Sequence, residues 1–218
     1  MTIRHHFTDD VLLSYAAGDL DDAMSLIVAS HLTLCPACRK TAAIADEIGG
    51  AVLDELEPAS MSHDALARVL AQTEHVTAEP LRQMPAPPVS GFVLPGPLRH
   101  RIGGDLDTVR WKRIGPGVQQ YVIARQDDGS QARLVKMASG QKAMMHGHTG
   151  EEFTMVVSGV FSDLDMTFAR GDIECAGADV IHSPVAGVDG GCVCLAVTSG
   201  RLKFSSLLGK IAQPFIGI

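Results

Sequence analysis

Apolar residues recur at helical spacing along the first 75 residues of the chain, then switch to short, alternating, β-branched runs after residue 98. Asp9 to Ala17 reads as a short helix with Thr8 or Asp9 as its cap and Gly18 as its stop. Asp19 or Asp21 caps a second helix, whose apolar positions are Leu20, Met24, Ile27, Val28 and Leu34 around His31. Pro36 suits the first turn of a third, because its missing N–H would lack a partner there in any case. That helix runs through Ala42, Ile44, Ile48, Val52 and Leu56, with Gly49-Gly50 as a weak point or break. A fourth begins at Ser62. Its stripe of Leu66, Val69 and Leu70 either closes the bundle or lies in a partner's groove, and core packing is the preferred reading.

The second half carries β-rich runs at Val109-Arg-Trp-Lys-Arg-Ile, Val118-Gln-Gln-Tyr-Val-Ile-Ala, Ala132-Arg-Leu-Val-Lys-Met, Phe153-Thr-Met-Val-Val, Met166-Thr-Phe and Cys192-Val-Cys-Leu-Ala-Val. Gly-Pro-Gly, Asp-Asp-Gly and Ser-Gly turns punctuate them, which is the spacing of an all-β barrel or sandwich. Between the halves, Val76 to Pro97 holds six of the eleven prolines and no hydrophobic period. The expected organisation is therefore a helical domain at 1–75, a Pro-rich linker at 76–97 and a β domain at 98–218.

Charge is divided unevenly. Residues 1–85 carry thirteen Asp+Glu against five Lys+Arg, a balance of −8, and the remainder carries twelve against thirteen, a balance of +1. An acidic module does not suit nucleic acid, whose phosphates demand the opposite sign, so no direct nucleic-acid contact is expected. It suits a basic protein partner, or simply solvated helix surfaces. No apolar run reaches the eighteen or so residues of a membrane span, and Met-Thr-Ile-Arg-His-His is no signal-peptide start. Five cysteines, an odd number, fit a reducing compartment, and a soluble cytoplasmic protein is expected.

The chemistry is concentrated in two clusters. His31, Cys35 and Cys38 pack three soft or borderline donors into eight residues, the supply a structural Zn²⁺ needs for a closed tetrahedron. With 20–34 helical, His31 and Cys35 lie at i and i+4, and the Cys-x₂-Cys turn returns Cys38 to the same point. The fourth ligand comes from upstream. His6 is preferred to His5, although spacing alone does not separate them. The rival reading, a redox Cys-x₂-Cys pair, lacks the preceding strand that such pairs follow. Four short helices bury little area, so a zinc here would supply much of their stability.

His6 and His31-x₃-Cys35-x₂-Cys38 in an acidic helical module resemble the zinc-binding anti-sigma domain with which bacteria hold extracytoplasmic-function (ECF) sigma factors inactive. In the second half, Gly140-x₅-His146-x-His148-x₃-Glu152-x₆-Gly159, followed by Gly171 and His182, resembles the motifs of the cupin barrel, a double-stranded β-helix. That resemblance implies a three-His, one-carboxylate metal site of His146, His148, Glu152 and His182. These donors suit a divalent ion among Zn²⁺, Mn²⁺, Fe²⁺ and Ni²⁺. The chain departs from the second cupin motif, with Gly177, Asp179 and Ala186 where a Pro, a Gly and an Asn are usual. Cys192 and Cys194, one residue apart in a strand, put their thiols on one face, either as small core residues or as a labile redox pair.

Together, the helical zinc module, Pro-rich linker and C-terminal cupin resemble the ChrR-type anti-sigma factors over essentially the whole chain. The resemblance implies a non-enzymatic transcription regulator. Its N-terminal domain would bind a group IV ECF sigma factor, one to one, and its cupin would be required for release in response to singlet oxygen or related oxidants. The alternative from another class is a dioxygenase-like cupin metalloenzyme with an N-terminal recruitment module.

Overall fold

The computed structural model describes residues 2–73, 91–126 and 130–200, together with the backbone of a last strand at 202–204. Most of the expected linker, 76–90, lies outside these residues, as do the Asp-Asp-Gly turn at 127–129 and the chain after the last strand.

The N-terminal part is helical. Helix α1 spans Asp9–Ala17, preceded by Thr8 in extended conformation and closed by Gly18 at φ +76°, whose N–H returns to the last turn. Helix α2 spans Asp22–Leu34, and its Asp21 cap accepts from the Met24 N–H at 2.8 Å. Helix α3 spans Pro36–Asp54 without a break at Gly49-Gly50, and neither glycine closely approaches another chain segment. Cys35 sits between α2 and α3 in extended conformation, so it follows the helix that carries His31 rather than lying in it. Helix α4 spans Ala65–Thr73 and buries nothing. The expectation that Leu66, Val69 and Leu70 close the bundle is therefore corrected: they are 68%, 58% and 53% exposed. Ile48, Val52 and Leu53 in the second half of α3 are equally uncovered, at 58%, 58% and 67%.

The Pro-rich spacer ends earlier than Pro97 on its C-terminal side. Helix α5 spans Gly96–Ile102, with Pro95 as its cap and Pro97 in its first turn. The Val93 and Leu94 N–H groups both donate to the Asp105 carboxylate at 2.8 Å, and Leu94 and Leu98 are buried. Two prolines here start a helix instead of extending a spacer.

The remaining chain is antiparallel β: β1 Lys112–Gly115, β2 Val118–Arg125, β3 Gln131–Met137, β4 His146–His148, β5 Glu152–Asp163, β6 Met166–Ala169, β7 Ile173–Ala176, β8 Val185–Ala186, β9 Cys192–Thr198 and β10 Leu202–Phe204. The main sheet runs β1-β2-β3-β9-β5-β6, with β7 and β8 also on β5, and β10 pairs with β4. Val109 to Trp111, expected to open a strand, precede it. Strand β5 can serve so many partners because a bulge at Val156 to Ser158 bends it. Gly159, at φ +77°, passes so close to the Gly191 carbonyl that a Cβ would sit 2.1 Å from it.

Both faces of the central strands are covered, and so every residue of β9 is buried. One face, with Leu134, Phe153, Met155, Leu195 and Val197, shares a single core with Phe7, Leu12, Ile27 and Val28 of the helical part and with Leu98 of α5. The other face, with Met137, Val156, Phe161, Phe168, Cys192 and Cys194, fills the barrel. The helical part is thus packed on the outside of the barrel wall.

Candidate metal centres and the contacts that join them

His6, His31, Cys35 and Cys38 place one donor atom each within 4.8 Å of one another. His6 Nδ1 lies 3.3 Å from Cys35 Sγ and 3.4 Å from Cys38 Sγ. These separations match the roughly 3.5 Å edge of a tetrahedron built on ordinary Zn–N and Zn–S bonds. Cys35 Sγ also takes the Cys38 N–H at 3.4 Å, which fixes the turn at the start of α3. His5 faces elsewhere, with Nδ1 3.7 Å from Asp172 Oδ1.

The barrel orients the His31 ring. Its Nδ1 is 2.9 Å from the Gly171 carbonyl in the β6–β7 turn, which leaves the buried Nε2, without a hydrogen-bond partner, directed at the cluster. Burial holds His31 down at about 4, so the ring is neutral and its lone pair is free for a metal. Burial and then the neighbouring Cys35 thiol push Cys38 up to about 12, a thiol that becomes a thiolate only opposite a cation. An orphaned imidazole nitrogen facing two thiols and a second histidine fits a metal ion well.

The segment that delivers His6 is also held by the barrel. The Asp172 carboxylate accepts the Arg4 and His5 N–H groups at 2.6 and 3.0 Å and the Ala169 N–H at 2.8 Å, while the Ile173 N–H donates to the His5 carbonyl at 3.2 Å. Burial raises the Asp172 carboxyl, but these backbone donors outweigh it and hold it below the ordinary carboxylate range. Gly171 itself, at φ +90°, has no room for a Cβ against Ile3. Phe7 then packs against Phe153 of β5, with ring centroids 5.8 Å apart and the ring planes tilted by 40°.

The second centre lies inside the barrel. His146 and His148 on β4 and Glu152 at the start of β5 share an inward face across a short turn, and His182 bridges back to His146 through backbone hydrogen bonds of 3.1 and 2.9 Å. His148 Nε2 and His182 Nε2 are 3.1 Å apart, and Glu152 Oε2 lies 3.5 Å from each and 3.8 Å from His146 Nε2. Three imidazole nitrogens and one carboxylate oxygen, crowded this closely, form a donor set that could hold one divalent ion.

Around this set stand residues that the sequence pattern did not single out. His182 Nδ1 is 2.7 Å from Asp163 Oδ2, which turns Nε2 toward the centre. Glu174, beside Asp163, is pushed up to about 8 by burial and by that neighbouring carboxylate. Arg133, 4% exposed, brings Nη2 to 3.5 Å from Glu152 Oε1. Their only sequence signal was polarity at inward positions of strands, legible once the register was known. Cys194 also lines this cavity, buried like Cys192.

Burial lowers His182, but the Glu152 and Asp163 carboxylates outweigh it and carry it up to about 9, whereas burial takes His148 down to about 4. A metal taken up by His182 must displace a proton from it below pH 9. The apparent affinity of the barrel site is therefore expected to rise about tenfold per pH unit between pH 6 and 8 and to level off near 9. Competition titrations with a metallochromic chelator measure this, and a flat profile would contradict the proton assignment.

The family model for the ChrR cupin-like domain matches residues 99–202. The chain is 42% identical to the anti-sigma-E factor ChrR of Cereibacter sphaeroides over 220 residues, covering all of both proteins. It also resembles a chain in the crystal structure of Rhodobacter sphaeroides SigE in complex with the anti-sigma ChrR. That likeness has a TM-score of 0.78 at 39% identity and covers 91% of this chain and 100% of the other.

Proposed function

The chain belongs to the ChrR family of anti-sigma factors, and from that premise we propose that it binds an ECF sigma factor one to one through its helical part and keeps it from transcription. The observation that carries this reading is the pair of uncovered apolar stripes, Ile44, Ile48 and Val52 on α3 and Leu66, Val69 and Leu70 on α4. Each is a helical surface ready to enter a partner's groove, and both lie in the acidic part of the chain, which suits a partner built to hold DNA. Zn²⁺ is the ion for His6, His31, Cys35 and Cys38, where two thiolates and two imidazoles close the site. The barrel set of His146, His148, Glu152 and His182 takes a divalent transition metal and serves release in response to singlet oxygen or a related oxidant. The protein acts in the cytoplasm, where its partner meets RNA polymerase; among the described residues no helix is long and apolar enough to cross a membrane.

The test is binding to the ECF sigma factors of the same genome. Full-length chain should co-purify with one of them at one-to-one stoichiometry and suppress its promoter. Leu66→Asp with Leu70→Asp should leave the melting temperature unchanged, since neither side chain is buried, and weaken the complex at least about thirtyfold. Full binding by that variant would remove α4 from the interface. Oxygen consumption in turnover with an organic substrate, without sigma binding, would favour the dioxygenase-like reading.

A further inference from the structure

Arg133 is the one buried guanidinium in the barrel among the described residues, and only part of it is satisfied. Nη2 reaches Glu152, while Nε and Nη1 are buried and have no hydrogen-bond partner. Leaving guanidinium donors unpaired away from water is costly, so an anion is the natural complement. Arg133 also lacks an undivided counter-charge. Glu152 turns one oxygen to Arg133 and the other to the three imidazoles, so a metal bound there draws on the same carboxylate. Asp163 is already engaged by His182. Glu174 lines the same space, beside Asp163, and makes no hydrogen bond to Arg133 Nε or Nη1.

The space beside Arg133 is a cavity of about 80 Å³, bounded by His146 and Glu152 on the metal side, by Thr154 and Glu174, and over the rest mainly by apolar groups such as Val135, Phe161 and Ala196. At roughly 10–15 Å³ per water-sized group it admits about five to eight non-hydrogen atoms. Cationic donors at one end, a metal centre beside them and apolar walls describe a small acid with a short hydrocarbon tail.

We propose that the barrel binds a short-chain monocarboxylate, with its carboxylate between Arg133 and the metal and its tail against Val135, Phe161 and Ala196. This rests on the reading that His146, His148, Glu152 and His182 hold a metal. The pocket then reads a metabolite as well as carrying a metal, and an oxidised or cleaved acyl chain is the class of product it would report.

Butyrate is the probe, titrated calorimetrically into the metal-loaded full chain, with a cobalt(II)-substituted sample followed by its visible spectrum. Butyrate should bind one per chain and perturb the cobalt bands, whereas 1-butanol and butylamine at the same concentration should do neither. Arg133→Gln should retain its metal and lose at least tenfold in butyrate affinity. Should Arg133→Gln lose the metal, Ala196→Val, which only fills the cavity, decides: it should weaken butyrate at least fivefold and acetate less. Metal-loaded protein that takes up no butyrate, or an Ala196→Val protein that binds it undiminished, overturns the proposal. Metal content of His146→Ala with His148→Ala tests the metal reading by itself, so the two failures are separate.

Discussion

Cys38→Ala is expected to lose one zinc per chain and to lose sigma-factor inhibition, with affinity falling at least about a hundredfold. A structural zinc contributes on the order of 10 kcal/mol to the fold around it, and one held by these donors would join the N-terminal segment, the end of α2 and the start of α3. Without the ion, Cys38 returns to a buried neutral thiol and His31 Nε2 is left buried without a partner. The damage should be local. Hydrogen exchange should speed up in α1 and in the first turns of α3, while β3, β5 and β9, closed on both faces, stay protected. His6→Ala should follow Cys38→Ala. His5→Ala should do much less, because His5 is held to the barrel mainly by its backbone, through the Asp172 carboxylate and the Ile173 N–H. Zinc analysis and a promoter-suppression assay on the same three variants measure this. Zinc-free protein with full inhibition would separate the metal from the function.

Helical and strand character were both legible because local spacing decides them. Thr8, Asp21, Pro36 and Gly18 mark ends that the backbone's own unpaired groups require, and α1 and α3 begin where those residues say. Three donors of the first cluster were legible for a related reason: ligands to one ion must be close, and His31, Cys35 and Cys38 lie within eight residues, whereas spacing did not decide His6 over His5 and the barrel set followed from a family resemblance. What the spacing did not carry was the packing between distant segments. A helical stripe looks the same whether it meets a core or a partner, so Leu66, Val69 and Leu70 read as core and stand exposed. The same limit hid Asp172 and Gly171, whose roles depend on residues about 140 to 170 positions away. Proline content read as spacer through Pro97 because proline both extends chains and opens helices; Leu94 and Leu98, buried on either side, decide for the helix.

His146→Ala with His148→Ala is expected to leave inhibition intact and to remove most of the induction by singlet oxygen or organic peroxide. Inhibition survives because the uncovered stripes of α3 and α4 and the first cluster lie apart from the barrel interior. Induction fails because the barrel can favour release only through a difference in its own free energy between bound and free states, and on the proposed reading a metal held at this site would be the group that registers the oxidant. The route outward is short. His182 is held by Asp163, Glu174 stands beside Asp163 on β7, and the turn that opens β7 carries Asp172, which grips the Arg4 and His5 backbone, and Gly171, whose carbonyl holds His31. A rearrangement at the barrel centre therefore reaches two ligands of the first cluster through one strand of four residues. Asp172→Asn tests that strand separately: it keeps one carbonyl oxygen of the clasp but removes its charge, and should raise basal promoter activity a few-fold with the barrel metal retained. The measurement is a sigma-dependent reporter with and without the oxidant. Normal induction in the double histidine variant would mean that the signal enters elsewhere, and Cys192 and Cys194, buried as neighbours on the cavity side of β9, would be the next pair to replace.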